Sequence, residues 1–250
     1  MDYQRPVPPA ESRRIARTFG VLYLITFATS IPALWLYQPA LKNPADYVAG
    51  AGHNNKILLG AFLELLLIIS NIGTATVVYP LLKRANEICA ISYVTARVIE
   101  CTFILVGILA MLAVVTLQQN PSAGTSATLG SLAYTLAAIK DWTFKLGPGF
   151  VVGIGNGLLL GYLMYRSELV PRRMAVLGLI AGPLISITGI ATLFGVIQAG
   201  GPVQSIATIP EFIWELFLGI YPLVWGFNLA APILRGDRHA DAGIGGVSPA

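Results

Sequence analysis

The chain has 250 residues, of which 55% are hydrophobic and 11% charged, with a net charge of +4 and a mean hydropathy of +0.71. A soluble domain carries about 25% charged residues, so this composition lacks the polar groups needed to cover a water-facing surface and excludes a cytosolic globular enzyme. Uncharged stretches at 18–41, 101–139, 146–165 and 174–210 are each long enough to cross about 30 Å of hydrocarbon at about 1.5 Å per residue.

In chain order, the hydropathy pattern predicts spans at 15–37, 57–82, 90–118, 146–165, 174–198 and 210–234. The fold class expected is all-α: a polytopic membrane helix bundle of six transmembrane helices. Residues 1–14 form a cytoplasmic N-terminal arm, 15–234 the six-span membrane domain, and 235–250 a disordered cytoplasmic tail without apolar periodicity. Arg5, Arg13, Arg14, Arg17, Lys83, Arg84, Arg166, Arg172, Arg173, Arg235 and Arg238 fall on one side of these spans. Only Lys42, Lys56, Lys140 and Lys145 fall on the other, and Arg97 lies within a span. Positive connections stay in the cytoplasm, so both termini are expected inside.

Residues 126–145 are apolar, with Leu129, Leu132, Leu136 and Ile139 at helical spacing. A seventh crossing there would carry Arg166, Arg172 and Arg173 outside. The charge pattern therefore favours an outer-surface amphipathic or re-entrant helix between spans three and four, with Lys140, Asp141 and Lys145 in water. Span four carries Gly149, Gly153, Gly157 and Gly161, a four-residue repeat that leaves a groove for a second backbone. Span five, a second subunit or another membrane protein could fill it. The Gly153-Ile154-Gly155-Asn156-Gly157 run follows no strand and does not read as a nucleotide loop.

A charged side chain at the bilayer centre costs about 3 kcal/mol on insertion scales, so each one present should face a partner or water. Arg97 and Glu100 share a face of span three, and Glu64 and Asn71 share a face of span two. Glu211 and Glu215 stand one turn apart near the outer end of span six, where solvent accounts for Glu211. Over Glu64, Arg97, Glu100 and Glu215 the formal charge is −2. Either carboxyls there carry protons or a cationic group balances them, supplied by Lys140, Lys145 or Lys56 from outside or by a bound cation.

The sequence offers no intramembrane histidine: His53 lies in a loop and His239 in the tail. The residue sets of zinc, aspartyl and rhomboid-type proteases and of haem proteins are missing, and no cofactor, metal or nucleic-acid partner is expected. Cys89 and Cys101, twelve residues apart on one helix, stand about 18 Å apart, beyond the reach of a disulfide.

Residues Arg17 to Leu24, the Glu64-Leu-Leu-Leu to Asn71-Ile-Gly-Thr74 run, Tyr79-Pro-Leu-Leu-Lys83 and Ala96-Arg97-Val-Ile-Glu100 resemble a family of bacterial integral membrane proteins, domain of unknown function 4386. The resemblance implies a multi-pass protein of the bacterial inner membrane and names no substrate. Three functions are open from the sequence. The first is binding or transport of a small cationic or lipophilic solute at Glu64, Asn71, Arg97, Glu100 and Glu215. The second is an intramembrane enzyme acting on a lipid or quinone head group with a Glu as acid or base, and the third a non-catalytic partner or regulatory protein docking through the span-four glycines.

Overall fold

The computed structural model describes residues 5–51 and 53–235; the expected tail lies, from residue 236 on, outside them. Six long helices organise the chain: α1 (Pro9–Leu36), α2 (Asn54–Leu82), α3 (Glu87–Gln119), α4 (Ser126–Ser167), α5 (Arg172–Leu193) and α6 (Pro202–Val224). Each is long and apolar enough to cross a membrane, so the chain is a multi-pass, all-helical membrane protein. Their outward faces carry large apolar side chains such as Phe62, Ile69, Leu109 and Ile187, which a lipid solvent accepts and water would not.

Each helix packs on its neighbours in sequence, and α6 closes back against α1. The bundle is therefore a ring of six helices in which consecutive members run antiparallel. The close of the ring is tight: a Cβ on Gly20 would come within 2.6 Å of the Gly219 carbonyl oxygen. Both described chain ends meet on one face, where Val7 N donates to Leu234 O at 2.8 Å and Arg84 Nη1 donates to Arg5 O at 2.9 Å. That face is called the terminal face below, and its opposite the far face. One apolar core fills the terminal half around Phe19, Leu82, Leu160 and Leu218. Separate apolar clusters lie toward the far face, around Ile104 and Ile108 and around Tyr37 and Met111.

Helices α5 and α6 depart from the hydropathy reading. Helix α6 starts at Pro202 and ends at Val224, not 210–234. Pro202 occupies the first helical position, where its missing N–H costs nothing, and Gly226 at φ +77° terminates the helix in the left-handed region. Pro210, which resembles a start signal, sits inside the helix. Helix α5 stops at Leu193 because Gly195, at φ +70°, turns the chain five residues before apolarity fades.

The stretch 126–145 runs on into span four. Ser126–Ser167 is one helical run of 42 residues, about 63 Å long and twice the hydrocarbon thickness. Its first half, Ser126–Leu146, packs on the far end of α3 and on the short helices Gln38–Lys42 and Pro44–Asp46 that link α1 to α2. At Gly147 the backbone leaves α geometry, with ψ −87°. Wider π-helical turns follow over Gly147–Val151 and Gly153–Leu160, where Pro148 lacks a donor and closely spaced glycines lack the side chains that hold an ordinary helix in register.

Candidate functional site

Between the apolar cores lies a polar layer contributed by five helices. On α3, Tyr93, Arg97 and Glu100 share one face, spaced four and three residues apart. Arg97 Nη1 donates to Glu100 Oε2 at 2.8 Å, and Nη2 donates to Asn71 Oδ1 at 2.8 Å and to Thr74 Oγ1 at 3.5 Å. Asn71 Nδ2 closes the triangle on Glu100 Oε1 at 3.3 Å. The guanidinium also stands 5.8 Å from the centre of the Tyr23 ring on α1, a cation–π contact. The pair is therefore charge-neutral, buried and hydrogen-bonded from α2, which offsets the cost of holding it in low dielectric.

The layer continues toward α4 and α6. The Tyr23 hydroxyl lies 3.3 Å from that of Tyr93 and donates to Asn156 Oδ1 at 3.2 Å. Asn156 Nδ2 in turn donates to Glu215 Oε1 on α6. Because the turns around Asn156 are widened, its backbone carbonyl is open to a neighbour, and Trp214 Nε1 donates to it at 3.0 Å. Trp214 thus pins α6 to α4 between the two acids Glu211 and Glu215.

Glu64 belongs to a second cluster, seven residues and about 10 Å further along α2 from Asn71. Lys140 Nζ reaches both its carboxylate oxygens, at 2.5 and 2.7 Å, and the Tyr37 hydroxyl donates to Oε2 at 3.0 Å. The ammonium also lies 4.7 Å from the Tyr37 ring centre. Lys140 is 5% exposed, so the expectation that it stands in water is corrected. Gly107 on α3 makes room for its stem, since a Cβ there would meet Lys140 Cδ at 2.8 Å. Asp141 and Lys145 pair with each other at 2.5 Å, partly exposed.

Glu211 is corrected as well. Sequence reading puts it at the solvated end of span six, but the helix begins nine residues earlier, and Glu211 is 3% exposed with neither carboxylate oxygen hydrogen-bonded. Glu64 with Lys140 and Arg97 with Glu100 each sum to zero. Among the described residues, the surplus of two carboxylates inside the bundle falls on Glu211 and Glu215.

A cavity of about 720 Å³ connects these groups. Its deep end is lined by Arg97, Glu100, Glu211 and Glu215, its side by Glu64 and Lys140, and its mouth at the far face by Gln38, Gly200 and Ser205. Its origin is topological: six helices in a ring leave a centre that polar side chains fill only in part. The Phe27 and Phe212 rings, edge to face at 5.2 Å, bridge α1 and α6 along one wall. Glu215 is partly exposed to this space.

The span-four glycines meet α5 of the same chain. A Cβ on Gly157 would stand 2.3 Å from Gly182 Cα, one on Gly153 2.7 Å from Gly182 O, and one on Gly161 3.0 Å from Leu179 N. Gly149 meets α5 through its carbonyl oxygen, which lies 2.7 Å from where a Gly189 Cβ would be. Without side chains the two backbones approach within van der Waals distance.

Sequence reasoning named Glu64, Asn71, Arg97, Glu100 and Glu215, and the cavity walls include all five. It offered Lys140 only as one of three lysines outside the spans, gave Glu211 to solvent, and passed over Tyr23 and Trp214. The usable signal for Glu211 was its four-residue spacing from Glu215; Asn156 had only its place among the glycines.

These features define a multi-pass membrane protein with a carboxylate-bearing cavity inside a six-helix ring. Residues 18–226 match the family described as Domain of unknown function (DUF4386), and the chain belongs to that family. No curated protein and no solved structure matches it.

Proposed function

We propose that the chain binds, and carries across the membrane, a small amphipathic organic cation, with Glu215 as its counter-charge. One observation carries this reading: Glu211 and Glu215, which have no cationic partner among the described residues, line a cavity of about 720 Å³. That volume falls within the roughly 300–1,000 Å³ typical of small-molecule sites. Apolar walls from Ile31, Leu67, Ile104 and Ile185 suit the hydrocarbon part of such a solute, and Phe27 and Phe212 offer ring faces to its charge.

The test uses tetraphenylphosphonium as the probe, with purified protein in lipid nanodiscs and equilibrium dialysis. Saturable binding is expected, and Glu215→Gln should weaken it at least tenfold, about 1.4 kcal/mol. Equal affinity in the two proteins removes the reading.

The enzyme alternative has less support. It needs Arg97 to hold an anionic head group, yet three of its five N–H donors go to Glu100, Asn71 and Thr74 and the guanidinium is buried. The docking alternative draws nothing from the α4 glycines, since α5 covers them.

We further place the arginine-rich terminal face in the cytoplasm of a bacterial inner membrane, so that the cavity mouth opens outward. In cells, with Cys89 and Cys101 replaced, Ser205→Cys should then react with a membrane-impermeant maleimide added outside. Labelling only after lysis reverses the orientation.

A further inference from the structure

Glu211 and Glu215 differ in what they can hold. Glu215 is partly exposed to the cavity and anchored by Asn156. Both oxygens of Glu211 are inaccessible and lack any partner. They lie against the bare backbone of α4, where a Cβ on Gly157 would stand 3.2 Å from Oε2. No organic ammonium fits between that carboxyl and the helix.

The charged and titratable neighbours of Glu211 are few. On α6 Glu215 stands one turn away, and across the cavity on α3 lie Arg97 and Glu100, already joined to each other. Tyr23 of α1 reaches the same layer through Asn156. The stretches of α4 and α5 against Glu211, around Gly157 and Gly182, bring no charge. An ionised carboxylate buried without hydrogen bonds or a counter-ion loses its hydration with nothing in return, whereas the neutral acid loses far less.

We infer that Glu211 is a proton-binding site separate from the cation carboxylate Glu215: it holds a proton while the cavity is empty and releases it when a cation settles on Glu215. The second half rests on the function proposed above; the first does not. The balance is simple. The Glu211 O–H bond breaks, its electron pair stays on the carboxylate, and the proton leaves through the cavity mouth to water. The arriving cation replaces that charge one helical turn away. A carrier built this way exchanges one proton for one organic cation.

Infrared difference spectroscopy of the protein in nanodiscs tests it. Without added cation at neutral pH, a protonated-carboxyl C=O band is expected that shifts in D2O, persists in Glu215→Gln, disappears in Glu211→Gln and moves in Glu211→Asp. The last variant keeps the acid should the glutamine fold poorly. Adding tetraphenylphosphonium should remove the band and release about one proton per cation bound in weak buffer, and Glu211→Gln should bind the probe with no release. Absence of the band from the cation-free wild type overturns the inference. So does stabilisation by Na+ over K+ that Glu211→Gln abolishes, which would mark an ionised carboxylate holding a metal ion. If the band is present but the probe does not bind, the organic-cation reading falls and Glu211 stands as a proton site. Binding without proton release, by contrast, ends the exchange.

Discussion

Replacing Lys140 by Met is expected to destabilise the folded protein by about 3–5 kcal/mol, the range for removing one member of a buried ion pair. The Lys140 and Glu64 side chains are 6% and 11% exposed, and the ammonium reaches both carboxylate oxygens. Without it, Glu64 keeps only the Tyr37 hydroxyl, and a carboxylate in low dielectric with one neutral donor is poorly compensated. Glu64→Gln should be damaging for the mirror-image reason, since it strands the ammonium. The double variant Glu64→Gln, Lys140→Met carries no buried charge, and its loss should be much smaller than the sum of the singles. Unfolding by sodium dodecyl sulfate in mixed micelles, run as a double-mutant cycle, reads the coupling. Additive losses would show that the two side chains do not act as a pair in lipid. The experiment also separates structure from transport: Lys140 and Glu64 bind the first half of α4 to α1 and α2, so the double variant should retain tetraphenylphosphonium binding, whereas Glu215→Gln should not.

The second large effect is expected at the α4–α5 contact. Gly157→Ala places a methyl 2.3 Å from Gly182 Cα and 2.6 Å from Gly182 N. Those are backbone atoms that no rotamer change can move, so α4 must separate from α5. In lipid, helix association depends on this close packing, and overpacking typically costs about 1–3 kcal/mol or more. Gly157→Leu should prevent recovery of folded protein. The alanine series ought to follow the spacing: worst at Gly157, next at Gly182 and Gly153, where backbone atoms stand at 2.6–2.7 Å, and milder at Gly155, whose Cβ would meet only the Ala96 Cβ at 3.1 Å. Thermal midpoints in detergent check the ranking. A flat series would mean that α4 and α5 are held by something other than their glycines. Because Glu211 lies against Gly157, the same substitution should also disturb the infrared band assigned to Glu211, which links packing to the site.

Much of the candidate site was legible because hydrocarbon penalises charge. An Arg and three Glu within apolar text stand out without any fold, and helical periodicity then puts Arg97 with Glu100 and Glu64 with Asn71. Antiparallel neighbours also bring Asn71 level with Arg97, as the hydrogen bonds between α2 and α3 show. Partners across the ring were not legible. Lys140 was one of three lysines that could balance the carboxylates from outside, and nothing local chose it over Lys145 or Lys56, because hydropathy records how polar a residue is and not where its stem reaches. Glu211 looked solvated because Pro210 imitates a helix start, and only the glycines at 200 and 201 and Pro202 together move that start earlier.

The sequence by itself determined the solvent, the number of the apolar helices, and the presence of more intramembrane carboxylates than their neighbours on the same helix could neutralise. These follow from length, hydropathy and periodicity, which act locally along the chain. Which carboxylates go unpaired was decided by tertiary structure alone. Closing six helices into a ring sets Lys140 on Glu64, Asn156 on Glu215 and bare glycine backbone against Glu211. Such pairings depend on distances between residues up to 76 positions apart, and no local pattern encodes them.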